Sequence, residues 1–268
     1  MMDGSVFGCL REGAHIWAIG AVRGDANRLS NLHDALSAAM EPDDRLVYLG
    51  NLPGGAAEDR NAVDVALGFR TWVMARRGGD ADDVVFLRGA REEMLQKLFE
   101  LQFAISPSEV LDWMLEKGIG GAIKAYGGNP EEARAAVRQS AVATTRWTSD
   151  LRARFRESGH QPWLSSLKHA AYNAEKTTLF VSRGIDATKP LDAQHDIFWW
   201  GGGSGFDAIA QPVAGFSRVI RGEDPSARGL FETDITVSLD GGCGVNPDGT
   251  LIAVCLSNDG VVLETIEA

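Results

Sequence analysis

The sequence predicts an α/β fold, because short and almost continuous apolar runs alternate with amphipathic helical segments through its N-terminal part. The runs 16–22, 46–52 and 84–88 lack polar alternation, which is typical of strands buried on both faces. Between them, apolar residues recur at spacings of three and four over 27–40 and 58–75, which favours helices. Strand–helix–strand repetition of this kind indicates parallel β-α-β units.

The stretch 91–172 has a different, helix-like sequence pattern, which predicts a helical insertion or cap over one edge of the sheet. Helix starts with acidic first turns occur at Pro107 and at Asn129-Pro130, and the second opens a long run rich in Ala and Arg. Neither linker composition nor an internal repeat separates this stretch from the rest. We therefore expect a single domain over residues 1–268.

The last third returns to strands, predicted over 178–182, 235–239, 251–256 and 261–266. Ser257-Asn258-Asp259-Gly260 predicts a tight hairpin between the final two, because Asp-Gly readily adopts the positive φ angles of such turns.

Composition excludes several classes of function. A chain of 268 residues with 44% hydrophobic and 24% charged residues can bury a sizeable core without disulfides. Its net charge of −11 argues against a nucleic-acid partner, which requires a cationic face. An apolar run long enough for a transmembrane helix is lacking, so we expect no membrane association.

The cysteines and the first residues favour a cytoplasmic protein. Three cysteines without framework spacing fit a reducing compartment, and segment 1–13 lacks the features of a signal peptide. Cys243, within Gly-Gly-Cys-Gly, is either a nucleophile or a packed thiol. Because no base is assigned beside it, we favour packing.

Three loops share one form, in which an apolar strand is followed by a glycine and then by a short polar stretch. These loops are 19–24 (Ile-Gly-Ala-Val-Arg-Gly), 49–55 (Leu-Gly-Asn-Leu-Pro-Gly-Gly) and 87–92 (Leu-Arg-Gly-Ala-Arg-Glu). Ligands of open α/β sheets gather beyond the carboxyl ends of the strands. The three loops are therefore the predicted functional site.

The order and spacing of the loops resemble the GDxHG, GDxxDRG and GNHE signatures of calcineurin-like metallophosphoesterases, in particular the bacterial serine/threonine protein phosphatase (PPP) family. The flanking segments 44–50 and 84–89 are similar to that family's strands. Segment 179–185 is similar to its FVHAGI motif, and 221–225 to its late GH segment. The resemblance runs from about residue 15 to the end and implies a four-layer α/β/β/α sandwich.

Members of that family hold two divalent metals in these loops, where the metals activate water and bind the phosphate. Compared position by position, this sequence has replaced the family's metal-binding and phosphate-orienting side chains. The replacements are Ala21 for Asp, Arg23 for His, Asn51 for the bridging Asp, Gly54 for Asp, Gly55 for Arg, Ala90 for Asn, Arg91 for His, and Ser182 and Glu223 for the two late His.

The resemblance therefore implies a degenerate site. A two-metal centre needs anionic oxygen and neutral imidazole ligands, and only Asn51, Ser182 and Glu223 remain as oxygen donors. Arginine cannot be deprotonated to become a ligand, and its charge opposes a nearby dication. We expect no bound metal, no other cofactor and no catalytic residue, as in a pseudophosphatase.

Two roles are open for the arginines of the site. Arg23 and Arg91, with Arg183, could form a metal-free anion site in which guanidinium groups replace the charge of the metals. Alternatively, they fill the pocket and pair with Glu223, because a buried charge needs a partner. We favour the second role and predict a salt bridge from Glu223 to Arg23 or Arg91.

Three functions remain open at this point. The first is a catalytically inactive binding or regulatory protein, whose partner would be a phosphoprotein or an active phosphatase or kinase relative. The second is an active phosphoesterase with an unorthodox or single-metal site held by Asn51 and Glu223. The third is a structural assembly block. Bound metal would identify the second, and an anion bound at Arg23 or Arg91 would separate the first from the third.

Overall fold

The computed structural model describes residues 6–54, 59–76, 78–201 and 205–268, and these residues form two sheets flanked by helices. The strands are β1 (Phe7–Leu10), β2 (Ile16–Ile19), β3 (Arg45–Tyr48), β4 (Val84–Phe86), β5 (Ala170–Asn173), β6 (Thr178–Val181), β7 (Arg218–Arg221), β8 (Gly229–Glu232), β9 (Thr236–Asp240), β10 (Ile252–Leu256) and β11 (Val262–Glu267). The helices are α1 (Ala26–Ala39), α2 (Asp59–Met74), α3 (Ala90–Leu98), α4 (Pro107–Glu116), α5 (Gly120–Ala125), α6 (Pro130–Gln139), α7 (Ala141–Glu157), α8 (Gln161–Ser166) and α9 (Ile197–Trp200).

The two sheets have the orders β1-β5-β6-β7-β9-β8 and β11-β10-β2-β3-β4. Strands β2, β3 and β4 pair in parallel, with α1 and α2 as their connections, so the predicted β-α-β units are confirmed. Strands β6, β7 and β9 form a second parallel set in the other sheet. Each parallel set directs the carboxyl ends of its strands to one edge.

The sheets pack face to face around a shared apolar core, to which Val47 and Val254 contribute from one sheet and Phe180 and Ile220 from the other. The outer face of the β2-containing sheet is covered by the helices from α1 to α8, which share one hydrophobic cluster with it. The outer face of the β6-containing sheet carries a thinner layer of short turns and α9. The predicted four-layer α/β/β/α sandwich is therefore confirmed.

Helix α1 illustrates how the sequence positions the first site loop. Asp25 caps the helix, since its side chain accepts a hydrogen bond of 2.9 Å from the backbone N–H of Arg28. Leu29, Leu32 and Leu36 lie on one face and are fully buried, and each contributes roughly 1.5–3 kcal/mol of burial free energy. Capping and burial together fix where the loop before Asp25 ends.

Part of the prediction for stretch 91–172 is wrong, because its last residues form a strand. Ala170–Asn173 (β5) pairs in parallel with β1 and antiparallel with β6. Alanines do not favour strands, so the conformation comes from pairing between two neighbours. Strands β1, β7 and β8 were also missed, because four-residue segments such as Arg218–Arg221, with arginine at both ends, carry little hydrophobic periodicity.

The predicted C-terminal hairpin is confirmed. Strands β10 and β11 are antiparallel, and the turn closes with a hydrogen bond of 3.0 Å from Ser257 N to the Val261 carbonyl. Gly260 has a φ of +76°, the left-handed conformation that glycine adopts without strain. In the described part of the chain, no helix has the length and apolar character needed to cross a membrane.

Candidate functional site

The loops at the carboxyl ends of β2, β3, β4, β6, β7 and β9 meet in one place. Backbone hydrogen bonds join them, from Ala21 N to the Gly222 carbonyl at 3.1 Å and from Arg23 N to the Asn51 carbonyl at 2.8 Å. The structure thus brings the predicted site loops together. Gly55 lies outside the described residues.

Arg23 is buried in an ion pair with Asp240 at the end of β9. Its two terminal nitrogens donate to the two carboxylate oxygens at 3.0 and 2.6 Å, and one also donates to the Cys243 carbonyl at 3.1 Å. Burial by itself would lower the pKa of Arg23, but the Asp240 carboxylate outweighs burial and raises that pKa. The Arg23 guanidinium is therefore paired inside the protein and does not present its charge to a ligand.

Asp240 is satisfied on both oxygens. Besides Arg23, it accepts from the backbone N–H of Gly242 at 3.0 Å and of Asp224 at 2.9 Å. Its side chain is 1% exposed. Four donors around one buried carboxylate hold the β7 and β9 loops together at the position of Arg23.

Asn51 connects two loops through both ends of its amide. Its Oδ1 accepts from the backbone N–H of Arg91 at 3.1 Å, and its Nδ2 donates to Glu223 Oε2 at 2.8 Å. The residue has a φ of +55°, a conformation in which asparagine is one of the few tolerated non-glycine residues. An ionised aspartate has no N–H, so it could not make the bond to Glu223.

The predicted pairing of Glu223 with Arg23 or Arg91 is wrong. Glu223 pairs instead with Arg183, whose Nη1 contacts Glu223 Oε1. Arg23 has Asp240 as its partner, and the Arg91 guanidinium donates to the Lys117 carbonyl. The general expectation of a paired, buried arginine holds for Arg23, with a carboxylate that the signatures did not indicate.

Glu92 organises the loop after β3 from the first turn of α3. Its fully buried carboxylate accepts three backbone hydrogen bonds, from Asn51 N at 2.9 Å, Leu52 N at 2.7 Å and Gly89 N at 2.9 Å. Burial raises the pKa of Glu92 even though these donors favour the ionised form. The left-handed turn at Asn51 is thus held by protein hydrogen bonds.

Ser182 and Cys243 are both buried at this end of the sheets. The Ser182 hydroxyl oxygen has no hydrogen-bond partner within the described residues. Cys243 contacts the Val22 carbonyl at 3.3 Å, and burial raises the pKa of its thiol to about 12. A thiol with that pKa is neutral near pH 7, which supports packing over a nucleophilic role.

Gly54 lies against the backbone of the first site loop. A Cβ at this position would lie 2.1 Å from the Arg23 carbonyl oxygen and 2.2 Å from its carbonyl carbon. Backbone atoms at this distance cannot give way locally. The loop therefore has no room for the aspartate that the related signature carries.

The side chains present do not fit a metal centre. Among the described residues, no three His, Cys, Asp or Glu side chains lie close enough to one another to hold a metal ion. Ala21 and Ala90 supply no donor atom, and both Glu223 oxygens and both ends of the Asn51 amide are engaged by protein groups. One serine hydroxyl remains, which is too few ligands for a divalent cation.

Sequence reasoning missed two residues that organise the site, Asp240 and Glu92. Asp240 follows the predicted strand 235–239 and faces the site because β9 runs parallel to β7. An acid directly after a buried strand was a usable signal, since that is where side chains meet at a sheet end. Glu92 stands three residues after Gly89, which is the spacing of a carboxylate that caps its own helix.

No protein-family model and no curated relative matches the sequence. Solved structures do match over almost the whole chain. A candidate diadenosine tetraphosphatase has a TM-score of 0.57 and 15% identity, with 98% of each chain covered. A serine/threonine phosphatase from Saccharomyces cerevisiae, similar to human phosphatase PP5, has a TM-score of 0.55 and 13% identity, covering 98% of this chain and 84% of its own.

A cold-active protein-tyrosine phosphatase from a psychrophilic Shewanella species is also similar, with a TM-score of 0.51 and 12% identity over 96% of this chain and 81% of its own. Likeness at these identities establishes the fold. The chain therefore has the calcineurin-like metallophosphoesterase fold that the loop signatures predicted.

Proposed function

We propose that this protein is a pseudophosphatase, which binds a protein partner and does not hydrolyse phosphoesters. The proposal rests on the pairing of Arg23 with Asp240 at the meeting point of the strand ends. Hydrolysis by this fold type requires metal ions that generate a nucleophile and neutralise the phosphate. At the meeting point of the strand ends this chain instead has a guanidinium paired with a carboxylate.

Electrostatics disfavours adding a metal to this arrangement. A dication near Arg23 would have to displace a guanidinium held by three hydrogen bonds of 2.6 to 3.1 Å. At about 4 Å, a dication and a guanidinium repel by roughly 8 kcal/mol at an effective dielectric constant near 20. Asn51 and Glu223 would each have to give up a protein partner in addition.

The partner that this site favours carries a phosphorylated or otherwise anionic segment. The Arg183 side chain is 26% exposed beside Glu223, and Arg91, whose backbone N–H donates to Asn51, is also partly exposed. Among the described residues, the one carboxylate that pairs with Arg183 is Glu223. Partly exposed guanidinium groups bind phosphate oxygens through paired hydrogen bonds.

Metal analysis and an activity assay test the loss of catalysis. The protein is purified in the presence of manganese, its metal content is measured by mass spectrometry, and hydrolysis of p-nitrophenyl phosphate is followed with added Mn²⁺. We expect less than stoichiometric metal and no turnover above a buffer control. Stoichiometric Mn²⁺ that is lost on Glu223→Gln, together with turnover, would favour a single-metal phosphoesterase instead.

Peptide binding tests the second half of the proposal. Fluorescence polarisation with a degenerate phosphoserine peptide pool is compared with its unphosphorylated pool. We expect binding of the phosphorylated pool that is weakened by the double substitution Arg91→Gln, Arg183→Gln. The control is Arg156→Gln, an exposed arginine on α7. Equal affinity for both pools would contradict an anionic partner and would favour a structural role for the protein.

A further inference from the structure

A cavity lies between β4, α3, α7 and α8, on the helical side of the third site loop, which contributes Arg88 to it. It has a volume of about 280 Å³ and is lined by Arg88, Gln96, Phe99, Glu100, Arg152, Gln161, Leu164 and Ser165. A single water needs about 10–15 Å³ by this kind of measure, so the cavity has room for a small molecule.

Three unpartnered polar atoms point to a ligand in this cavity. Arg88 Nε, Arg152 Nε and Gln161 Oε1 are buried and have no hydrogen-bond partner within the described residues. All three side chains line the same cavity. Leaving a buried donor or acceptor unpaired costs about 1–3 kcal/mol. The two arginine Nε–H groups are donors and call for an acceptor, whereas Gln161 Oε1 is an acceptor and calls for a donor.

The charges of the lining identify the sign of that partner. Arg88 is balanced by Glu93, with Nη1 to Oε2 at 2.8 Å. Arg152 forms no salt bridge and no side-chain hydrogen bond with any described residue, although its Nε is buried. Glu100 also lines the cavity, but its ion-pair contact is with Lys97 at 3.9 Å. Arg152, a half-buried residue with a buried Nε, thus has no counter-charge among the described residues.

We propose that this cavity binds a small oxyanion, a phosphate or a carboxylate, held by Arg152 and Arg88. Oxygen atoms of the anion would accept from the two Nε–H groups, and the charge would compensate Arg152. A protonated oxygen of hydrogen phosphate would in addition donate to Gln161 Oε1. The assignment goes beyond the proposed function and does not depend on whether the protein hydrolyses phosphoesters.

Isothermal titration calorimetry with inorganic phosphate and, separately, with succinate tests the assignment at constant ionic strength. We expect saturable binding of one of the two, which also identifies the source of the oxyanion. Arg152→Gln should weaken that binding at least tenfold, because it removes the uncompensated charge. Arg156→Gln, an exposed neighbour on the same helix, should leave the affinity unchanged.

Two further variants keep the test decisive if Arg152→Gln fails to fold. Gln161→Glu places a carboxylate in the cavity, so it should abolish anion binding and raise the melting temperature. Glu100→Gln removes the acid in the lining and should tighten binding; a loss of stability without tighter binding would make Glu100 the counter-ion of Arg152.

The proposal is overturned if neither probe binds, which would mean that water fills the cavity. It is also overturned if Arg152→Gln binds as wild type does. Loss of binding in Arg183→Gln with retention in Arg152→Gln would place the anion at the strand-end site instead.

Discussion

Replacing Asp240 by asparagine isolates the charge of the Arg23–Asp240 pair while keeping the shape of the side chain. The wild-type carboxylate accepts four hydrogen bonds and is 1% exposed, and the Arg23 side chain is 8% exposed. The new amide can accept on one atom only. Its NH₂ group would face the donors that now contact Oδ2, namely Arg23 Nη2 at 2.6 Å and Asp224 N at 2.9 Å.

We expect Asp240→Asn to lower the free energy of unfolding by about 3–5 kcal/mol, the range found when one partner of a buried pair is removed. For a domain of this size, each kcal/mol of lost unfolding free energy lowers the melting temperature by about 2–4 °C. Urea denaturation and calorimetry measure both quantities. Asp248→Asn is the matched control, because Asp248 is exposed near the same loop and should change stability by less than about 0.5 kcal/mol.

A double-mutant cycle separates the pair from its surroundings. Arg23→Met removes the cation, so the double variant with Asp240→Asn no longer contains an uncompensated buried charge. The double variant should therefore be more stable than the sum of the single changes predicts, by about 1–3 kcal/mol. Additive effects, or a loss below about 1 kcal/mol for Asp240→Asn, would refute the importance assigned to this pair.

Three further predictions concern other residues. Asn51→Asp should lower the free energy of unfolding by about 2–3 kcal/mol, because a carboxylate would replace the donor 2.8 Å from Glu223, and it should not confer Mn²⁺ binding. Denaturation and metal analysis test both expectations. Adding Glu223→Gln to this variant should restore part of the lost stability. Gly54→Ala should lower the free energy of unfolding by at least about 1–3 kcal/mol, because its Cβ would collide with the Arg23 carbonyl. Gly68→Ala, in α2 with open space around it, should raise the free energy of unfolding by up to about 1 kcal/mol. Equal effects of the two substitutions would contradict the close approach at Gly54. His33 is buried against Tyr48 and Phe69, and burial lowers its pKa to about 3 from 6.5. The free energy of unfolding should therefore fall by about 1.4 kcal/mol per pH unit as the pH drops from about 6.5 towards 3. His33→Gln should remove this part of the pH dependence, and identical pH profiles of the two proteins would contradict the prediction.

The sequence allowed prediction of those parts of the fold whose signal is local. The β-α-β units were predicted because buried strands and amphipathic helices each carry their own periodicity, and the hairpin at Gly260 because Asp-Gly prescribes its turn. Strand β5 was missed because its conformation depends on β1, which lies more than a hundred residues earlier.

The site shows the same division between local and distant information. The signatures located the loops that meet at the strand ends. The partner of Arg23 was not predictable from them, because Asp240 belongs to a segment for which no site role was assigned. The partner of Glu223 is Arg183, two residues after the end of β6, and choosing among three arginines required the register of β6 and β7.

The Arg23–Asp240 pair also bears on the order in which the protein folds. Its two residues are separated by 217 positions, and the Asn51–Glu223 hydrogen bond joins residues 172 positions apart. Contacts between such distant segments form only after both sheets have docked, because closing long loops is entropically costly. We therefore expect these bonds to be absent from the folding transition state, so that breaking them accelerates unfolding and leaves the refolding rate nearly unchanged. These buried polar bonds at the strand ends would then determine how long the native state lasts once formed, which is a kinetic property.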